Sequence, residues 1–66
     1  VYSVYNMTSK EIIKLLESDG WFKHVQKGSH CQYKHLVKKG KVTVPHPKKD
    51  LPIKTVQSIF KQAGLK

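Results

Sequence analysis

The sequence has no arginine; its 13 Lys+Arg are all lysine. The forked guanidinium is the group that reads base edges by paired hydrogen bonds, so its absence argues against sequence recognition in a DNA groove. Acids are scarce too. Four Asp+Glu against thirteen cations leave a formal net charge of +9 and a pI near 9.9. So few carboxylates do not furnish a nuclease site built on two magnesium ions. One cysteine, Cys31, cannot form an internal disulfide, and with no secretory signal in view it fits a reducing cytoplasm. No apolar run approaches the ~20 residues of a membrane span, and no partner in the membrane is expected. Internal repeats and low-complexity segments are lacking as well.

What is present is a short, strongly basic chain. Its 66 residues suffice for one domain. A domain of that size buries only roughly 60% of the surface its unfolded chain exposes, so a few apolar side chains must make the core. The excess charge draws anions: nucleic acid, an acidic protein or an anionic membrane surface. Lysines meet a phosphate backbone as point charges, so affinity should fall steeply with salt. Neither helix pairs a lysine-rich face with an aromatic apolar one, which disfavours the membrane.

Residues 1–6 show no helical period and read as an extension of uncertain order; 7–66 read as a single domain. Thr8 and Glu11 have the spacing of a capping box, with Met7 and Ile12 at the staple positions around it. Ile12, Leu15 and Leu16 recur at helical spacing and Ile13 widens the stripe, which predicts a helix over Thr8–Asp19 closed by Gly20. Trp21–Gln26 reads as a strand, with Trp21 and Phe22 on opposite faces. His30–Val37 is a second strand. Cys31, Tyr33, His35 and Val37 share one face and His30, Gln32, Lys34 and Leu36 the other; the pattern does not say which is buried. Lys38-Lys39-Gly40 makes a turn, Lys41–Val44 a third strand, and Pro45-His46-Pro47 stops the sheet because proline donates nothing to a ladder. Pro52 opens a second helix whose buried stripe is Val56, Ile59, Phe60 and Ala63, helped by Ile53. Gly64 caps it and Leu65 folds back on Phe60. The expected fold is α+β, α-β-β-β-α, a three-stranded antiparallel sheet with two helices on one face and the other face open.

Lys27-Gly28-Ser29-His30 joins the first two strands. Glycine permits backbone angles closed to other residues, and a histidine heading the next strand is held by the sheet. In a basic surround, an imidazole is suited to acid–base chemistry on a phosphate ester. A lone surface histidine is more often without such a role, and so is a lone strand cysteine, which more often packs as a small hydrophobe. Tyr33 can stack on a base, although a strand tyrosine more often packs. Lys34, Lys38, Lys39, Lys41, Lys48 and Lys49 form a candidate rim for a phosphate backbone. The four histidines lack the paired spacing of zinc sites, so no metal and no cofactor are expected.

Five motifs in order then carry a resemblance over about Thr8–Leu65: Lys10-Glu11-Ile12-Ile13-Lys14-Leu15-Leu16, Asp19-Gly20-Trp21, Lys27-Gly28-Ser29-His30, Val42-Thr43-Val44-Pro45-His46 and Ile59-Phe60-Lys61-Gln62-Ala63-Gly64-Leu65. The chain resembles the HicA toxins of bacterial type II toxin–antitoxin systems. The resemblance implies a fold like a double-stranded-RNA-binding domain, metal-independent cleavage of messenger RNA through the histidine of Gly-Ser-His, a cytoplasmic setting and a HicB antitoxin partner. That histidine is His30. Relatives often carry a second histidine at the next position, which is Cys31 here, so a mechanism using that neighbour is closed. The expected site is His30 as acid or base, with Lys27, Gly28, Ser29, Lys34 and Tyr33 toward RNA. His24, His35 and His46 are candidates by type for the second proton carrier. The alternative is an RNA-binding module without catalysis.

Overall fold

The computed structural model describes residues 7–65, so the extension read over 1–6 lies outside the described residues. Along the chain run α1 (Ser9–Ser18), β1 (Trp21–Lys27), β2 (His30–His35), β3 (Val42–Pro45) and α2 (Ile53–Ala63). The strands form one antiparallel sheet in the order β1-β2-β3. Side chains from both helices and from one face of the sheet meet in a single core, which leaves the other face open. This is the expected α+β architecture.

Local chemistry accounts for each helix. The Thr8 hydroxyl accepts the Glu11 N–H, and the Glu11 carboxylate accepts the Thr8 N–H, so two amides at the start of α1 are satisfied reciprocally. Met7 and Ile12 both enter the core beside this box, as a staple requires. The far end of α2 closes on Gly64, whose φ of +72° is left-handed; the Leu65 N–H reaches the Phe60 carbonyl and the Gly64 N–H that of Lys61. Those are the two bonds of a Schellman ending. Pro52 sits at the N-cap of α2 rather than inside its first turn.

β2 decides the faces. Cys31 and Tyr33 are buried, and across the ladder they pair with Val44 and Val42, buried likewise. Strand alternation then sends His30, Gln32 and Lys34 to the open face. On β1, Trp21 enters the core at 2% exposure while Phe22, opposite Lys34, stays 43% exposed on the open side. The register breaks between Lys23 and Val25, leaving His24 unpaired in a bulge. Leu51, which carries no periodic signal, is also buried, and its N–H bonds the Met7 carbonyl.

β2 ends two residues earlier than the alternation predicts. The His35 ring turns back and its Nδ1 accepts the N–H of both Val37 and Lys38, at 3.0 Å each. Those amides are lost to the ladder, and Leu36 and Val37 stand 90% and 85% exposed in the loop beyond. With Nδ1 accepting, the ring hydrogen lies on Nε2 and donates to the Asp19 carbonyl at 2.7 Å. The Asp19 carboxylate takes the Trp21 indole N–H and an ion pair from Lys38, whose ammonium also reaches the Ala63 carbonyl. The ring of His35 packs edge-on against Trp21. One polar knot therefore ties the C-terminal ends of both helices to the sheet.

Gly20 lies inside that knot. Its φ is +100°, and a Cβ there would stand 2.7 Å from His35 Nε2. Gly20→Ala should therefore cost about 1–3 kcal/mol, as strained left-handed residues do, read as a lowered denaturation midpoint. An unchanged midpoint would refute the tight fit. Hydrogen bonding from Lys38 holds the Asp19 carboxyl below the ordinary value, with partial burial opposing and the Lys38 charge assisting. A depressed folded value means that its stabilisation is complete above the unfolded value of about 3.9 and is lost as pH falls through the folded one. Lys38→Met should flatten the acid limb of the stability–pH curve; an unaltered limb would place the acid sensitivity elsewhere.

Candidate nucleic-acid interface and catalytic centre

At the end of the sheet opposite the Asp19 knot, three segments converge: the β1–β2 turn, the loop after β3 and the start of α1. The turn is a two-residue hairpin, Gly28-Ser29, with Gly28 at φ +56°. Among the described residues, apart from its chain neighbours, no atom lies within 4 Å of the place a Cβ would take, so backbone angle rather than crowding calls for glycine. The Gln26 side-chain amide donates to the Gly28 carbonyl, and Lys23 in turn donates to Gln26. So tight a turn places Lys27 directly opposite His30 in the ladder, hence on the same open face.

His30 is exposed, and among the described residues its ring has no hydrogen-bond partner. Its backbone is fixed between Lys27 and Pro45. An imidazole held at its root and free at its tip, beside an ammonium, can exchange protons with a bound phosphate ester. Lys27, Gly28, Ser29 and His30 are thus brought together. Lys34 shares the face but lies four residues along the strand, beside Phe22.

Tyr33 is a correction. The sequence offers it to RNA, with packing as the commoner alternative, and it packs: 3% exposed, on the helix side of the sheet. Burial pushes its hydroxyl above the ordinary tyrosine value, with the neighbouring Cys31 and Glu17 adding to the effect. A ring closed in this way offers no face to a base. The expected lysine rim divides as well. Lys48 and Lys49 lie at the His30 end, while Lys38, Lys39 and Lys41 follow β2 at the other end, where Lys38 is bound to Asp19 and Ala63.

The remaining histidines part company. His35 has both ring nitrogens engaged within the fold, so it serves structure. His24 occupies the bulge and is exposed. His46 stands at the His30 end. Its N–H donates to the Ser29 carbonyl at 2.7 Å, and its Nδ1 lies 2.6 Å from the Ser9 hydroxyl. Ser9 is 1% exposed; its hydroxyl also accepts the Lys48 N–H, and its own N–H donates to the Lys48 carbonyl. Sequence reasoning passed over Ser9. The signal was its place three residues before Ile12 and seven before Leu16, on the buried stripe of α1.

Among the described residues, no group of three or more His, Cys, Asp or Glu side chains is placed to hold a metal, and no helix is long and apolar enough to cross a membrane. A small α-β-β-β-α domain with a free histidine at a lysine-rich sheet end is the class that this geometry defines.

Comparison with known proteins narrows it. The family described as HicA toxin of bacterial toxin-antitoxin matches residues 9–65. A solved structure titled as a toxin-antitoxin complex from Streptococcus pneumoniae contains a chain 40% identical, with a TM-score of 0.76 over 89% of this chain and 98% of that one. No curated protein matches. The chain belongs to the HicA toxin family.

His35→Ala should remove three hydrogen bonds at once, two of them half-buried, and destabilise by about 2–4 kcal/mol, seen in denaturant melts. His24→Ala, at an exposed bulge, should stay within about 0.5 kcal/mol. Equal effects would overturn the distinction.

Proposed function

We propose that this toxin is a metal-independent endoribonuclease that cleaves messenger RNA, with His30 moving the proton. The observation that carries the reading is the placement of His30: exposed, unpartnered among the described residues, and opposite Lys27 on the open face. RNA brings its own nucleophile. A base takes the proton of the 2′-hydroxyl, that oxygen bonds to phosphorus, and the bond to the 5′-oxygen breaks as an acid returns a proton there. His30 supplies one or both transfers. Lys27, with the backbone at Gly28 and Ser29, offsets the charge that grows on the phosphate oxygens, and Lys34 holds the strand further along the face.

We also propose a HicB-type antitoxin as the inhibitory partner, on the strength of the toxin-antitoxin complex that holds the similar chain. With +9 on the toxin, the antitoxin should meet the basic end with acidic groups and cover His30. A complex that leaves His30 open and still admits RNA would count against inhibition by occlusion.

Purified wild type should cut RNA in EDTA. His30→Ala should lose at least a hundredfold in rate, the usual scale of acid–base catalysis, while binding RNA within about twofold of wild type. Loss of cutting in EDTA, restored by one divalent metal, would sink the metal-free mechanism. If wild type leaves RNA whole, the chain is a binding module only.

A further inference from the structure

His30 and Ser29-His46 mark two faces of one sheet end. The His46 N–H to Ser29 carbonyl bond continues the β2–β3 ladder by one step beyond the His30–Pro45 pair. His30 and His46 are therefore diagonal neighbours, their backbones about 6 Å apart from strand spacing and rise. Alternation turns their side chains to opposite sides: His30 to the open face, His46 toward the helices and Ser9.

On the helix side lies a recess of about 260 Å³, lined by Thr8, Ser9, Lys10, His46, Pro47, Lys48 and Lys49. Its exposed wall is almost wholly apolar, so the carbon stems of Lys10, Lys48 and Lys49 form it. Three ammonium groups and a histidine border it at the positive end of α1, where cations are disfavoured. The one acid in the first turn, Glu11, is committed to the capping box. The amides of Thr8, Ser9 and Glu11 are engaged within the fold as well.

His46 is oriented for that task. The buried Ser9 hydroxyl accepts the Lys48 N–H, donates to the Lys48 carbonyl at 3.2 Å and shares a 2.6 Å hydrogen bond with His46 Nδ1, which fixes the direction of the ring. The other ring nitrogen, Nε2, has no partner among the described residues and is left open to the RNA. Ser9 is a positioning residue, acting through His46.

We propose that the RNA backbone does not run along the open face alone. It passes over the sheet end at the Gly28-Ser29 turn and seats a phosphate flanking the scissile one in the recess of Lys10, His46, Lys48 and Lys49. The inference rests on the ribonucleic-acid reading of His30, and it adds a second phosphate site on the other side of the sheet. A strand draped over an end is held on two faces, which fixes its position relative to His30 along its own length.

The test measures binding of a fluorescein-labelled single-stranded RNA by anisotropy across a salt series, in wild type and on the His30→Ala background, together with cleavage kinetics of the His30-intact proteins. Lys48→Ala/Lys49→Ala should weaken binding on the order of tenfold and reduce the slope of log K against log salt by about 0.7 for each phosphate left without its lysine. His46→Gln should weaken binding several-fold and raise KM more than it lowers kcat. Lys39→Ala/Lys41→Ala, the same loss of charge at the far end, should stay within twofold. If the far-end pair weakens binding as much as Lys48/Lys49, or if the recess variants bind and cut like wild type, the path over the sheet end is wrong while the ribonuclease reading stands. If wild type never cuts but the recess variants still lose affinity and slope, the ribonuclease reading fails and the path survives. No binding by wild type overturns both.

Discussion

The pleat of β2 constrains the rest. A strand cannot turn neighbouring residues to one side, so burying Cys31 and Tyr33 against Val44 and Val42 fixes where His30, Gln32 and Lys34 point. The histidine's exposure is thus a by-product of the core's composition. A one-residue slip of β2 would bury His30 and turn Cys31 and Tyr33 to water, so the hydrophobic effect that holds the domain together also guards the register of the site.

The sheet then works as a beam fixed at one end and presented at the other. The fixed end is the Asp19 knot, where Trp21, His35 and Lys38 commit their polar atoms to the fold. The presented end gathers the Gly28-Ser29 turn, the His46 loop and the first turn of α1, tied by Ser9. Histidines serve at both ends, and their surroundings give them opposite work. Among the described residues, His35 is saturated by backbone groups, His30 has no partner for its ring, and His46 has one nitrogen engaged and one open. Lysines divide the same way: Lys38 is structural, whereas Lys48 and Lys49 face solvent beside the site.

Much of this was legible in the chain. Helical period, the Thr8–Glu11 box and Gly64 give both helices because the signals are local, satisfied within one turn of the residues that carry them. The order of elements follows from turns and prolines. Faces were harder. In β2 the alternation mixes histidine, glutamine and lysine with cysteine and tyrosine, so neither side is plainly apolar, and only the partners across the ladder settle the matter. The early end of β2 depends on His35 capturing two amides, a choice no propensity encodes. The Ser9–His46 hydrogen bond joins residues 37 apart in sequence. A serine on a buried helical stripe signals that some partner exists without naming it.

The bulge at His24 has a consequence for how such a domain can change. The pairing on its two sides is set by separate devices: the Trp21–His35 contact on one, the two-residue Gly28-Ser29 hairpin on the other. His24 takes up the single residue by which the two registers disagree. Removing it would close the ladder without moving either end, so β1 contains a slack link. A single deletion there can be absorbed while the geometry around His30 is inherited unchanged.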